Sequence, residues 1–155
     1  MKLKLYYVVI PLLTVLTASV GSQITKLGMG WYNGIALPSF TPPGYVIGII
    51  WTIIFILAAL SALWAYSSKK IGPKAELIMI LFLASAALNV WWSAFFFGFN
   101  LVGVALIELI VLNLVNLLLI ILLAKKQWQP ALLLLPYFLW VCFAGYLNFL
   151  IWRLN

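Results

Sequence analysis

The residues of this sequence that could bind a ligand are aromatic side chains and amides spaced by three or four positions. That spacing places side chains on one face of a helix. Three such sets occur: Trp51 with Phe55; Asn89 with Trp92, Ser93 and Phe96; and Trp140 with Ala144 and Asn148. One interpretation is a lined pocket, because aromatic rings contact flat apolar molecules and amides orient them. Packing is the alternative, because Trp forms belts at membrane surfaces and Asn bridges helices.

Glu108 is the one acidic residue inside an apolar run of the sequence. A carboxyl in that setting is costly to bury and is a functional candidate by default, with a protonated packing group as the alternative. Glu76 opens a predicted helix, where the helix dipole favours negative charge, and needs no further role. No acid, base or nucleophile accompanies Glu108, so the residues do not support conventional catalysis.

The elements that carry these residues are apolar segments of membrane-spanning length. Of the 155 residues, 67% are hydrophobic and 7% are charged, and the charges fall mainly between the apolar runs. Because an open sheet cannot satisfy its backbone in hydrocarbon, the runs predict helices. The sequence therefore predicts an all-α integral membrane protein, a single domain over residues 1–155 that is a bundle of five transmembrane helices. The predicted helices cover about 5–25, 43–67, 75–97, 101–124 and 131–152.

The distribution of Lys and Arg predicts how the bundle is oriented. The N-terminus and the loops after helices 2 and 4 carry seven of these residues, whereas Lys26 and Arg153 lie on the other side. The positive-inside rule then gives a multi-pass cell-membrane protein with a cytoplasmic N-terminus and an external C-terminus. Basic loops also account for the net charge of +7, and no nucleic-acid partner is expected. A cleaved signal peptide is the alternative for helix 1, but its apolar stretch continues to about Ile24.

With this orientation, the rise of about 1.5 Å per residue places most candidate residues in one layer of the outer half. Trp140 is somewhat deeper and Gln23 lies at the rim of helix 1. The external segment 26–42 is the one predicted loop large enough to cover a ligand, and Thr41 is the predicted N-cap of helix 2. The residues at roughly 6 to 14 Å depth are Trp51, Asn89, Trp92, Ala144 and Asn148.

Three segments of the sequence resemble the signature segments of the TspO/MBR family, the translocator or peripheral benzodiazepine receptor proteins. The double proline that opens helix 2, the Trp eight residues later, and the PYxxW and AxxLN motifs are highly specific. Together with five short-looped spans, the resemblance covers essentially the whole chain and favours a bacterial member. The segments are PSFTPPGYVIGIIWTIIF (38–55), LNVWWSAFFFG (88–98) and LPYFLWVCFAGYLNFLIWRLN (135–155).

The resemblance implies a pocket that opens toward the first loop and binds porphyrins, isoquinoline carboxamide or benzodiazepine-type ligands, and in some members sterols. Phe149 stands where the animal proteins have the Tyr of a sterol-recognition pattern, so a porphyrin-related role is expected here. The residues that match the family pocket are Trp51, Phe55, Asn89, Trp92, Trp140 and Ala144, with Tyr32 and Pro42 from the loop and its junction.

The predicted function is a membrane receptor for protoporphyrin-like tetrapyrroles and benzodiazepine-type or isoquinoline ligands. The resemblance also implies an enzymatic alternative, light-dependent porphyrin degradation, in which Trp51 or Trp140 donates an electron. The second alternative is a transporter of porphyrin, sterol or another small hydrophobic molecule, although the sequence has no visible internal repeat.

Membrane lipid and a second copy of the chain are the other expected partners. No metal site or resident cofactor is expected, since the sequence has no His for haem iron. Small residues such as Ala58 and Ala62, or Ala94 and Gly98, allow a homodimer, or equally serve packing within one bundle.

Overall fold

The computed structural model describes residues 4–68 and 71–155, and within them the chain forms five long helices. All five are long and apolar enough to cross a bilayer, which confirms the predicted bundle. Lys2, Lys69 and Lys70, which enter the orientation argument, lie outside the described residues. The helices are α1 Tyr6–Tyr32, α2 Gly44–Ser67, α3 Ala75–Ser93, α4 Val102–Ala124 and α5 Trp128–Leu154.

The five helices alternate in direction, so the bundle has two distinct ends. We call the end that carries Lys4, Lys74 and Lys125 the lysine end, and the end that carries residues 33–43 the loop end. Helices α1, α3 and α5 run from the lysine end to the loop end, whereas α2 and α4 run back. Many large apolar side chains point outward, as expected for a surface that faces lipid.

Helix α1 is longer than the sequence predicts. It continues to Tyr32 rather than ending near residue 25, so the connection to α2 shrinks to residues 33–43. The glycines of the segment KLGMGWY suggest a loop because Gly disfavours a helix. Tertiary packing overrides that preference: the rings of Trp31 and Tyr32 lie 5.6 and 6.1 Å from the ring of Phe96.

Gly28 lets α1 approach the end of α3 at backbone distance. It is the one buried residue of α1. A Cβ built on Gly28 would lie 2.6 Å from the Cβ of Phe97, so a larger residue does not fit without movement. The glycine that weakens the sequence signal for a helix is therefore the residue that fixes where α1 crosses the bundle.

Helix α3 ends in a π-helical turn, Ala94–Gly98, instead of continuing as a regular helix. The Phe99 N–H donates to the Ala94 carbonyl at 2.8 Å. The wider turn lets two successive aromatics contact the same indole, because the rings of Phe96 and Phe97 lie 5.5 and 5.9 Å from that of Trp92. The turn thus concentrates aromatic rings at the loop end.

Two helix starts also differ from the sequence predictions. Helix α5 begins at Trp128 rather than near residue 131, because proline is tolerated in a first turn and Pro130 does not delay the helix. Thr41 is not the N-cap of α2, which begins after Pro43. Its hydroxyl donates instead to the Pro38 carbonyl at 2.7 Å and closes a turn within the loop.

Candidate functional site

Trp51 lies at the centre of a cluster of aromatic rings contributed by α2, α3 and α5. Its ring centroid is 5.6 Å from Phe55, 6.1 Å from Trp92, 6.1 Å from Tyr137 and 6.4 Å from Trp140. We call these five residues the aromatic layer. Four of them were predicted from the sequence as lining residues, and the fold brings those four together. The fifth, Tyr137, was missed, because a lone Tyr in an apolar run is not distinguishable from a packing residue.

Asn89 and Asn148, two of the predicted amides, are buried and already hydrogen bonded. The Trp92 indole donates to the Asn148 carbonyl oxygen at 3.3 Å, and the Asn148 amide donates to the Val102 carbonyl at 2.8 Å. These bonds connect α3, α4 and α5. The Asn89 amide donates to the Tyr137 hydroxyl at 3.0 Å. The amides therefore fix the orientation of two rings of the aromatic layer, which is a positioning role whether or not a ligand is bound.

The other predicted residues surround this layer at different distances. Ala144 is buried beside the ring cluster. Ser93 is buried, and a Cβ on Gly21 of α1 would lie 3.4 Å from its hydroxyl. Phe96 is 2% exposed and lies deep among the aromatics of the loop end. Ser93 and Phe96 thus lie where the end of α3 meets α1, and Ala144 brings α5 to the aromatic layer.

Gln23 lies elsewhere than the sequence predicts. Because α1 extends to Tyr32, Gln23 is roughly 14 Å from the end of its helix rather than at the rim. Its side chain is exposed on the outer surface of α1. A contact between Gln23 and a bound ligand stays a prediction.

The segment 33–43 covers the loop end and is attached through Asn155, through Phe40 and through Ile35, which packs against the buried cluster at this end. The Ala36 N–H donates to the Asn155 side-chain oxygen at 2.9 Å, and the Asn155 amide donates to the Ala36 carbonyl at 3.0 Å. Phe40 stacks on Tyr146 with ring centroids 6.1 Å apart and lies 6.5 Å from Phe143. The segment is thus held to α5, and the predicted residue Pro42 lies at its junction with α2.

A cavity of about 210 Å³ lies toward the lysine end, between α1, α2 and α3. Of the candidate residues, only Phe55 lines it. Its polar lining includes Ser85, Asn116 and Tyr137, which sequence reasoning did not select. Ser85 donates to the Asn116 side-chain oxygen at 2.8 Å. A signal was available in the sequence, since an Asn within the apolar run of α4 is as unusual as Asn89 in α3.

Two further polar groups are buried in the half of the bundle nearest the loop end. Glu108 is 7% exposed, and neither of its carboxyl oxygens has a hydrogen-bond partner among residues 4–68 and 71–155. The Trp140 indole N–H also lacks a partner within those ranges. The small residues Ala58 and Ala62 face the cavity rather than the outside, so their place in the fold is packing within the bundle.

Comparisons with known proteins point in one direction. The profile of the TspO/MBR family matches residues 7–153. The tryptophan-rich protein TspO of Bacillus cereus is 35% identical over 136 residues, which cover 88% of each chain. Protein CrtK of Rhodobacter capsulatus is 30% identical over 81% of this chain and 78% of its own. Human translocator protein is 32% identical over 83% of this chain and 76% of its own.

Proposed function

This chain belongs to the TspO/MBR family, and from that premise we propose that it is a membrane receptor that binds a protoporphyrin-like tetrapyrrole at the aromatic layer. Membership supports a membrane binding or transport role. The single observation that carries the finer proposal is that three indoles from three helices, Trp51, Trp92 and Trp140, converge with centroids of Trp92 and Trp140 within 6.4 Å of Trp51. Isoquinoline and benzodiazepine-type ligands present the same flat aromatic surface and are proposed for the same place.

The chemistry of a protoporphyrin fits the surroundings of this layer. The macrocycle is flat and apolar and gains contact with indole and phenyl rings by offset stacking. Its acidic side chains need cations, and Lys26 of α1 and Arg153 of α5 are exposed in the loop half of the bundle. A macrocycle oriented with its carboxylates toward that end pairs them with these two side chains while the ring stays in the apolar layer.

The rings of the aromatic layer contact one another, so a macrocycle needs them to separate. Segment 33–43 is held by Asn155, Phe40 and Ile35, but none of its residues is buried and Phe40 is half exposed. We therefore assign the opening of the site to a displacement of this segment from α5, followed by rotation of the underlying rings. Local opening of a loop with few buried contacts is the low-energy route in a packed bundle.

Dark titration of the protein in lipid nanodiscs with protoporphyrin tests the proposal. Trp92→Leu is expected to weaken binding by roughly tenfold, because it removes both the indole contact and the donor to Asn148. Trp91→Leu is the matched control, since Trp91 is the neighbouring residue but is 53% exposed on the lipid side. Equal affinities of these two variants, or no saturable binding by wild type, contradict the proposal.

A transport function is the second candidate, and Glu108 is the observation that favours it. A buried carboxyl without a partner among the described residues can take up and release a proton as surrounding groups move. Glu108→Gln is expected to abolish a proton-driven component of protoporphyrin uptake into vesicles. Glu76→Gln is the control, because Glu76 is exposed in the first turn of α3. Uptake that is equal in protein-containing and protein-free vesicles excludes transport.

A further inference from the structure

The cavity toward the lysine end lies beneath a loosely packed part of α1. Gly28, near the loop end, is the one buried residue of that helix, and the cavity is lined by α1 residues from its other half. Two of them, Val9 and Leu13, are each 36% exposed. The wall between the cavity and the surrounding lipid is therefore thin, and a small apolar molecule can enter from the bilayer without crossing water.

The floor of the cavity holds a buried donor. Asn116 is fully buried, and its side-chain oxygen accepts the hydrogen bond from Ser85 at 2.8 Å. Its amide nitrogen has no hydrogen-bond partner among the described residues. A buried N–H group of this kind is costly in an apolar setting. Because Asn116 is fully covered in the empty cavity, a ligand acceptor stabilises this group by displacing the side chains that cover it. The remaining walls are mostly alanine, aliphatic and aromatic side chains.

We propose that this cavity is a second ligand site, which binds a neutral compound of one or two rings whose carbonyl oxygen accepts a hydrogen bond from Asn116. A quinone ring has this chemistry. The volume of about 210 Å³ exceeds the roughly 150 Å³ of an engineered cavity that holds benzene, but it is too small for a tetrapyrrole. Phe55 and Tyr137, two members of the aromatic layer, form the wall between the cavity and Trp51, so the second site shares that wall but is separate from the three indoles.

The depth of Asn116 decides between a ring compound and a phospholipid. Asn116 lies roughly 12 Å from the lysine end of α4. Phospholipid ester groups stay near the headgroups, so a lipid tail would bring only hydrocarbon to this depth and would leave the amide unpaired. A whole molecule with an oxygen on its ring satisfies both the apolar walls and the donor.

Menadione and 2-methylnaphthalene are the probes, because they share a fused two-ring skeleton and differ in the carbonyl oxygens. Each is titrated into the protein in nanodiscs against empty nanodiscs. Wild type is expected to bind menadione about fivefold more tightly than 2-methylnaphthalene, the factor expected of one hydrogen bond. The infrared carbonyl band of bound menadione is expected to shift to lower frequency. Equal binding of the two probes, or an unshifted band, overturns the proposal.

Neighbouring alanines of α3 locate the site. Ala86 lines the cavity and Ala87 is exposed on the lipid side. Ala86→Leu is expected to abolish menadione binding while Ala87→Leu retains it, and equal binding by the two variants places the ligand elsewhere. Protoporphyrin binding, measured in the same samples, is expected to survive Ala86→Leu, so failure of this site is distinguishable from failure of the receptor proposal.

A double variant that removes the Asn116 amide tests its hydrogen bond to the ligand. This test is independent of whether Ala86→Leu folds. In Ser85→Ala with Asn116→Leu, both partners of the buried hydrogen bond are replaced together. The preference for menadione and the infrared shift are expected to disappear, whereas Ser85→Ala alone keeps both. Retention of the shift in the double variant shows that Asn116 does not donate to the ligand.

Discussion

Gly28 and Phe97 are in backbone contact: a Cβ built on Gly28 would lie 2.6 Å from the Cβ of Phe97. Gly28→Ala is therefore expected to push α1 away from the π-helical turn and to lower the free energy of unfolding by about 1 to 3 kcal/mol. Gly30→Ala is the matched control, because nothing lies within 4 Å of a Cβ at that position of the same helix.

The measurement is the midpoint of thermal unfolding of each variant in the same detergent. Gly30→Ala is expected to match or slightly exceed wild type, since alanine favours a helix. A Gly28→Ala midpoint equal to that of Gly30→Ala would show that α1 adapts without cost. Such a result would also remove the reason given for the position of the α1 crossing.

The bundle could be predicted from the sequence because five apolar runs of spanning length have few alternatives in a bilayer. The end of α1 could not, because Gly28 is unfavourable for a helix locally and is required only by its contact with Phe97. The grouping of Trp51, Trp92 and Trp140 followed from helical spacing and depth. The cavity beside Asn116 did not, because it depends on how far α1 stands from α2 and α3, which no local pattern encodes.

Asn155 fixes segment 33–43 through a pair of hydrogen bonds with the backbone of Ala36. Asn155→Ala is expected to raise the exchange rate of the Ala36 amide hydrogen by about fivefold to tenfold, the effect of losing about 1 kcal/mol of local stability. Hydrogen exchange read by mass spectrometry or NMR measures it. Ser39→Ala, an exposed change in the same segment, is expected to leave exchange at Ala36 unaltered. Unchanged exchange in Asn155→Ala would mean that Ile35 and Phe40 hold the segment without Asn155.

Enlarging Ala144 of α5 tests whether the ligand binds beside the aromatic layer. It is buried beside the ring cluster, so Ala144→Leu is expected to crowd the binding region and lower protoporphyrin affinity. It also adds bulk to a packed cluster, and a loss of about 1 to 3 kcal/mol of stability is expected with it. Gly145→Leu is the matched control, because it places the same side chain at the next residue, where a Cβ meets nothing within 4 Å. This variant should leave protoporphyrin affinity unchanged. The two variants binding alike would place Ala144 outside the ligand site.

The distribution of Lys and Arg predicts that segment 33–43 is external. A Ser39→Cys variant in a Cys142→Ala background provides one exposed thiol in that segment and removes the native cysteine, which is itself exposed. A membrane-impermeant maleimide added to intact cells is expected to label it to completion. Labelling that requires cell lysis would reverse the topology of all five helices.

The ring planes of Trp51 and Trp140 are perpendicular, at 89°, with centroids 6.4 Å apart. Both indoles are therefore close enough to contact one bound porphyrin, and replacing each of them by Phe separates a receptor from a light-dependent enzyme. If the indoles only contact a bound porphyrin, replacing either by Phe retains most of the apolar contact and weakens binding by about 1 kcal/mol. If an indole donates one electron to the excited porphyrin, an indole radical cation and a porphyrin radical anion form, and the Phe variants should bind without bleaching because a phenyl ring is far harder to oxidise.

Porphyrin absorbance under steady illumination at saturating protein distinguishes the two cases. The comparison includes wild type, Trp51→Phe, Trp140→Phe, the lipid-facing control Trp91→Phe and empty nanodiscs. Electron donation is assigned to the aromatic layer if Trp91→Phe still bleaches porphyrin while Trp51→Phe and Trp140→Phe do not. All three variants must still bind porphyrin in the dark. Wild type that bleaches porphyrin no faster than empty nanodiscs excludes the enzymatic alternative and leaves the binding role.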